Sequence, residues 1–384
     1  MKCLTPLLVL AAATLSRAAF ALPEDSGPFG VDTLTRTETV AGASLTFDLY
    51  VPKGLSAPAP IIAVGHGFQR TKANMAEWGD ELARRGFVAA VPTFPGALPD
   101  HPLNGKILSG LLAWMETEAQ KAGSPLAGKV DGTRRAVAGF SAGGLAAILA
   151  AAGDSSIDVV VGLDPVDNNS QGLNVAASIQ APVIFVRAEP HQCNENGNAA
   201  AMFAKLTAPR MSLKVTDATH CDGEAPSGAL CSLFCGAQVR ARHLLFRRYA
   251  FAALDYLLRC DTAMLPWLGG AQAQADTGIK ELSVTAFPPA PVGCAASPDG
   301  GPTPDAAPPT DQGAVGDGGS LADGAPADST PPATDLQGPG ADPSIGSDDD
   351  GCGCRLDAEH SARPPSMVLL LFLAAALLLA RRAG

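Results

Sequence analysis

Residues 134–152 read RRAVAGFSAGGLAAILAAA, and the fold follows from how little separates their two halves. Ala136–Phe140 is an apolar run of the kind that forms a short buried strand, and Leu145–Ala150 continues as an apolar helix. Only Ser141-Ala142-Gly143-Gly144 lies between them, too little for an ordinary loop. Gly139-Phe140-Ser141-Ala142-Gly143 fits G-x-S-x-G, in which a tight strand-to-helix turn pushes a serine hydroxyl out beyond the sheet edge. The flanking glycines suit a turn where a side chain would strike the neighbouring strand or helix. At the helix start the backbone N–H of Ala142 lacks an intrahelical acceptor, so it is available to an oxyanion.

Working outward, strands and helices alternate. Thr33–Val40 and Ser44–Val51 flank Ala41-Gly42-Ala43 as a hairpin. Pro60–Val64 is a buried strand ending in Gly65-His66-Gly67-Phe68. A helix carrying Met75, Trp78 and Leu82 follows and stops at Gly86, and Phe87–Val91 is the next strand. A second helix is expected from about Ile107 to Gln120. Beyond Ser141 come strands at 157–163, 183–186 and 211–215, a helix near 199–206 and a long helix at 239–258. This alternation predicts an α/β fold with a mostly parallel sheet of about eight strands, covered by helices on both faces. Ligands of such sheets bind beyond the carboxyl ends of the strands, where Ser141 sits.

A serine needs a base, and the chain has six histidines. His66, His101, His191, His243 and His360 lie in the first glycine-rich loop, before the second helix, after the 183–186 strand, inside the long helix and in the tail. His220 alone follows the last strand and precedes the last helix, as a Ser, acid, His order requires; His191 is the alternative. The acid that orients it is Asp164, at the end of Val159–Leu163, with Asp167 and Glu189 as alternatives at the same sheet edge. Phe68, after the strand expected beside the Ser141 strand, offers a second backbone N–H for the oxyanion, together with Ala142.

The whole chain has 384 residues, 47% of them hydrophobic, and a net charge of −11. From Ser297 to Asp350 there is no Lys or Arg, and eleven aspartates fall in that stretch. The acidity therefore belongs to a tail, and nothing points to nucleic acid. Residues 1–21 have the pattern of a secretory signal, with Lys2, an apolar Leu4–Leu15 and the cleavage site Ala19-Phe20-Ala21. Residues 22–294 form the catalytic domain. Within them Cys193, Cys221, Cys231, Cys235, Cys260 and Cys294 are an even set that suits disulfides in an oxidising compartment. Residues 295–351 are a Pro, Gly, Ala and Asp linker too poor in apolar side chains to fold. Residues 352–384 hold Cys352, Cys354, the apolar run Met367–Ala380 and Arg381-Arg382, a run shorter than the roughly twenty residues that span a bilayer.

Taken together, residues 30–260 resemble the α/β-hydrolase family. HGF after one strand, GFSAGG at the elbow and Leu163-Asp164-Pro165-Val166-Asp167 resemble the chlorophyllase and dienelactone-hydrolase-like branch, to which cutinase-like polyester hydrolases are related. The resemblance implies an esterase with a Ser141, His220 and Asp164 triad; no cofactor is expected, and the short stretch between Asp164 and the strand at 183–186 is too small for a lid domain. It divides over the acid: chlorophyllases use the aspartate of D-P-V, whereas polyester hydrolases place theirs after the next strand, where this chain has only Glu189-Pro190 and Glu195. Cys193 and Cys221 resemble a disulfide that some polyester hydrolases carry beside the active site. A zinc site from His191, Cys193, His220 and Cys221 is a competing use of the same residues. The cysteine, apolar helix and arginine ending resembles the C-terminal sorting signal of exported myxobacterial proteins, which implies sorting machinery, a membrane-attached end and a place at the cell surface or outer membrane. The expectation is an exported, monomeric serine hydrolase acting on a small or polymeric carboxylic ester. A non-catalytic surface binding protein, a peptidase and an acyltransferase are the alternatives.

Overall fold

The computed structural model describes residues 22–294. The expected leader (1–21), linker (295–351) and C-terminal segment (352–384), with His360, Cys352 and Cys354, lie outside the described residues. The chain begins with a hairpin, β1 (Val31–Val40) and β2 (Ala43–Pro52), paired antiparallel in continuous register. Its turn is Ala41-Gly42, both at positive φ (52° and 81°), the geometry that matches the twist of paired strands. The other strands are β3 (Ala59–Gly65), β4 (Val88–Pro92), β5 (Val130–Phe140), β6 (Val159–Leu163), β7 (Val183–Arg187), β8 (Arg210–Val215) and β9 (Ile279–Thr285). They form one sheet in the order β1-β2-β4-β3-β5-β6-β7-β8-β9. From β4 to β8 every neighbour is parallel, and antiparallel strands border that block on both sides.

β3, β4 and β6 are buried along their whole length, which is why they read as unbroken apolar runs. Helices α1 (Ala76–Arg84), α2 (His101–Ala119) and α3 (Ala142–Gly153) precede the short α4 (Gln171–Val175) and α5 (Ala199–Lys205). Then come α6 (Ala229–Cys235), α7 (Arg240–Arg259) and α8 (Ala271–Ala275). Trp78 and Leu82 of α1 and Phe246, Phe251 and Leu257 of α7 pack in one core. Ile107 and Leu111 of α2, Ala147 and Ile148 of α3 and Met202 of α5 build a second. Arg85 and Asp255, both fully buried, join the end of α1 to α7 through a bond from Arg85 Nε to Asp255 Oδ2 of 2.8 Å.

This is the α/β-hydrolase arrangement expected from the sequence, with nine strands in place of about eight. The ninth, β9, is mostly exposed and is held partly by charge: Lys214 Nζ on β8 donates to Glu281 Oε1 at 2.6 Å. An amphipathic pattern was therefore absent. Helix α2 also starts earlier than Ile107, because Asp100 caps it by accepting from Leu103 N at 3.0 Å. Between β6 and β7 the chain holds only α4 and a 3-10 turn, Ala176–Ser178, so no lid domain is inserted there. Among the described residues no helix is long and apolar enough to cross a membrane.

Candidate active site

β5 ends at Phe140 and α3 begins at Ala142, leaving Ser141 alone at the bend with φ 56° and ψ −119°. A serine at positive φ is strained, and the surrounding close packing holds it there. A Cβ added at Gly139 would lie 2.1 Å from the Gly143 carbonyl oxygen, and one at Gly143 would lie 2.3 Å from that of Gly65. Both glycines are thus required by backbone contact between β3, β5 and α3.

The hydroxyl projects toward His220, which opens a 3-10 turn (His220–Gly223) after β8. Ser141 Oγ lies 3.0 Å from His220 Nε2, and His220 Nδ1 lies 2.6 Å from Asp164 Oδ2. All three side chains are buried. Asp164 stands just past β6 at φ 44°. Its Oδ1 accepts from Ala188 N at 2.9 Å and its Oδ2 from Asn194 Nδ2 at 3.0 Å, so the carboxylate is held by three donors. The His220 turn is fixed by Asp222, whose carboxylate accepts from Thr219 N at 2.8 Å, Val239 N at 2.6 Å and Arg242 Nε at 2.7 Å. The His220 ring rests on Phe140, centroids 4.7 Å apart.

The other candidates are engaged elsewhere. Asp167 accepts from Gly172 N at 2.8 Å and Leu173 N at 3.0 Å and so caps α4. Glu189 pairs with Lys280 at 2.5 Å and accepts from Asp217 N at 3.1 Å. His191 closes its own turn, Nδ1 accepting from Cys193 N at 3.2 Å. His243 Nδ1 donates to the Asp222 carbonyl at 2.9 Å. His66 is buried, donating from Nδ1 to the Gly67 carbonyl at 2.8 Å and accepting at Nε2 from Phe94 N at 2.9 Å. Burial pushes its pKa down to about 4, so the ring is neutral and clamps the glycine-rich loop to the segment after β4. That loop lies against the elbow: a Cβ at Gly67 would sit 3.2 Å from Ser141 Cβ. Phe68 and Ala142, the two expected oxyanion donors, line one cleft with Phe94, Leu98 and Asn104. Another surface depression, about 410 Å³ between Lys53 and Lys129, opens at the opposite, amino ends of β3 and β5.

The cysteines pair differently from the expected Cys193–Cys221 bond. Cys193 bonds Cys235, Cys221 bonds Cys231, and Cys260 bonds Cys294. The cause is α6, which the sequence did not reveal as a helix. It sets Cys231 and Cys235 one turn apart on a buried face, so that each meets one of the two loops. With both sulfurs oxidised, neither Cys193 nor Cys221 offers the thiolate that the zinc reading needs. Asn194 is the residue sequence reasoning missed. It is fully buried, and its only local signal is the adjacent Cys193.

No curated protein matches the chain. A family model described as PET hydrolase-like matches residues 17–231, more than half of the sequence, and that span contains Ser141, Asp164 and His220. With this match and with a mostly parallel sheet carrying a strained serine at its carboxyl edge, the chain belongs to the PET hydrolase-like family of α/β hydrolases.

Proposed function

We propose that the protein is an exported serine hydrolase that cleaves carboxylic esters, polyesters among them, through an acyl-enzyme. The observation that carries this reading is the unbroken chain from Ser141 Oγ through His220 to Asp164, with bonds of 3.0 and 2.6 Å. Ser141 Oγ attacks the ester carbonyl while His220 Nε2 takes its proton, and Asp164 holds the Nδ1–H tautomer and stabilises the imidazolium. The carbonyl oxygen becomes an oxyanion facing the N–H groups of Ala142 and Phe68. Collapse breaks the C–O bond, and His220 Nε2–H protonates the departing alcohol. Water, deprotonated by His220, then attacks the acyl-serine, releasing the acid and restoring the hydroxyl. The acid in this scheme comes from the D-P-V segment after β6, not from the segment after β7.

Ser141→Ala is expected to abolish both hydrolysis of 4-nitrophenyl butyrate and labelling by a fluorophosphonate probe. Activity surviving in that variant, or a wild-type protein that takes no label, overturns the reading; the latter leaves a non-catalytic binding protein. Export is supported by the leader-like residues 1–21 and by the pairing of all six cysteines of residues 22–294 in disulfides, which persist in oxidising compartments. Residues 295–384 serve in this reading as a tether to the outer surface. Protease treatment of intact cells is then expected to release an active fragment ending near residue 294.

A further inference from the structure

Seven large apolar side chains are exposed among the described residues, and they are gathered rather than scattered. Leu98 (58%), Leu230, Leu233 (74%), Phe234 and Val239 fall in two stretches, 93–99 (TFPGALP) and 225–239 (APSGALCSLFCGAQV), and neither stretch holds a charged residue. Single exposed apolar side chains are ordinary, whereas a group of them marks a contact surface. Both stretches lie at the carboxyl edge of the sheet. The first follows β4 and lines the cleft with Phe68 and Ala142. The second carries α6, whose two disulfides fix it to the loops after β7 and β8. Arg70 connects cleft and helix: it lines the former and donates from Nε to Glu224 at 2.9 Å, and Glu224 Oε1 accepts from Gly228 N, just before α6, at 3.3 Å. Leu230, Leu233 and Phe234 follow the i, i+3, i+4 spacing of one helix face, while Cys231 and Cys235 are buried.

We infer that this face of α6 is a docking surface for a solid, uncharged polyester, which it seats beside the cleft. The inference rests on the ester-hydrolase reading and adds to it where a polymer is held. Charge selects the occupant. The ionised groups that border the second stretch are already paired, Glu224 with Arg70 and Arg240 with Glu77, so the stretch offers an anionic lipid or an acidic protein no cation of its own. A charged surface would lose water against these leucines without gaining a partner. A polyester presents hydrocarbon and ester groups and no charge, so its contact with the leucines removes apolar surface from water on both sides. Two disulfides hold α6 before contact, and a support that is already ordered loses little freedom on binding. A short soluble ester has no need of α6, which separates holding the polymer from cleaving it.

The test compares wild type, Leu233→Gln, the pair Leu230→Ser and Leu233→Ser, and the pair Leu230→Met and Leu233→Met. Adsorption to a polycaprolactone film is measured in a Ser141→Ala background, and film erosion and 4-nitrophenyl butyrate hydrolysis in the active protein. The serine pair is expected to weaken adsorption and slow erosion by about tenfold or more, Leu233→Gln by less, and the methionine pair by less than about twofold. All three keep kcat/KM for the soluble ester within about twofold of wild type. Adsorption that the serine pair leaves within twofold of wild type overturns the docking surface. So do losses on the soluble ester that match those on film in both Leu233→Gln and the serine pair, and so does tighter binding to phosphatidylcholine vesicles than to film. A dimer in sedimentation that the serine pair abolishes gives the face to a second copy and overturns it as well. A protein that takes a fluorophosphonate label and hydrolyses the soluble ester but ignores the film loses only the docking surface, and one that neither labels nor hydrolyses any ester loses the hydrolase reading with it.

Discussion

Replacing Asp164 by asparagine tests the acid at the atom that matters. The carboxylate now accepts from His220 Nδ1 at 2.6 Å, Ala188 N at 2.9 Å and Asn194 Nδ2 at 3.0 Å. An amide has one accepting oxygen. If that oxygen stays with Ala188 N, the NH2 group faces His220 Nδ1 and Asn194 Nδ2, a donor set against donors. His220 relieves this by moving its proton to Nε2, where it can no longer accept from Ser141. A wrong-tautomer histidine lowers kcat on the order of 10⁴-fold, or about 5.5 kcal/mol of barrier. The assay is kcat for 4-nitrophenyl butyrate, run beside Glu189→Gln. Glu189 is engaged with Lys280 and the Asp217 backbone, and its variant is expected to keep kcat within about twofold of wild type. Comparable losses in both variants, or less than about a tenfold loss in Asp164→Asn, refute the reasoning.

Gly139→Ala places a Cβ 2.1 Å from the Gly143 carbonyl oxygen, backbone against backbone, and is expected to cost about 3 kcal/mol in urea unfolding and most of the activity. The folded protein keeps His66 neutral to about pH 4, whereas the unfolded chain protonates near 6.5. The stability from this group is therefore complete above pH 6.5 and is lost as pH falls toward 4, by roughly 3 kcal/mol in all. Unfolding free energies of His66→Gln between pH 7 and 5 are expected to slope less than those of wild type. Removing the Cys221–Cys231 bond with paired serines is expected to cost about 3 kcal/mol and to lower kcat, because the bond holds the residue after His220. Paired serines at Cys260 and Cys294 are expected to lower stability by about 3 to 4 kcal/mol with kcat unchanged.

The elbow was legible because its signal is local: GFSAGG encodes a strand, a bend and a helix start within six residues. The parallel strands were legible for the same reason, each being an apolar run with turn residues at its ends. Asp164, Asp167 and Glu189 could not be separated in sequence, since all three follow strands that end at one sheet edge. What divides them is tertiary: a capped helix claims Asp167 and a lysine on β9 claims Glu189. β9 itself escaped notice because its charges reach across to β8. α6 was read as a pair of bridging cysteines, and the partner of each sulfur depends on where a helix lies between two loops. His101 was placed in the loop before α2 because a polar first turn looks like loop until the Asp100 cap is seen.

Through α6, sulfur bonds couple Cys193, next to the amide that grips Asp164, to Cys221, next to the imidazole. Base and acid thus ride on a single cross-linked frame; the Ser141 backbone is bonded to the segment around Asp164, its N–H donating to the Leu163 carbonyl and its carbonyl accepting from Val166 N, and its side chain meets the frame at the one bond to His220. The contact left to side chains alone is then the gap between Ser141 Oγ and the ring. That is the distance a turnover cycle must open and close when the ring turns from serine to departing alcohol, and from alcohol to water.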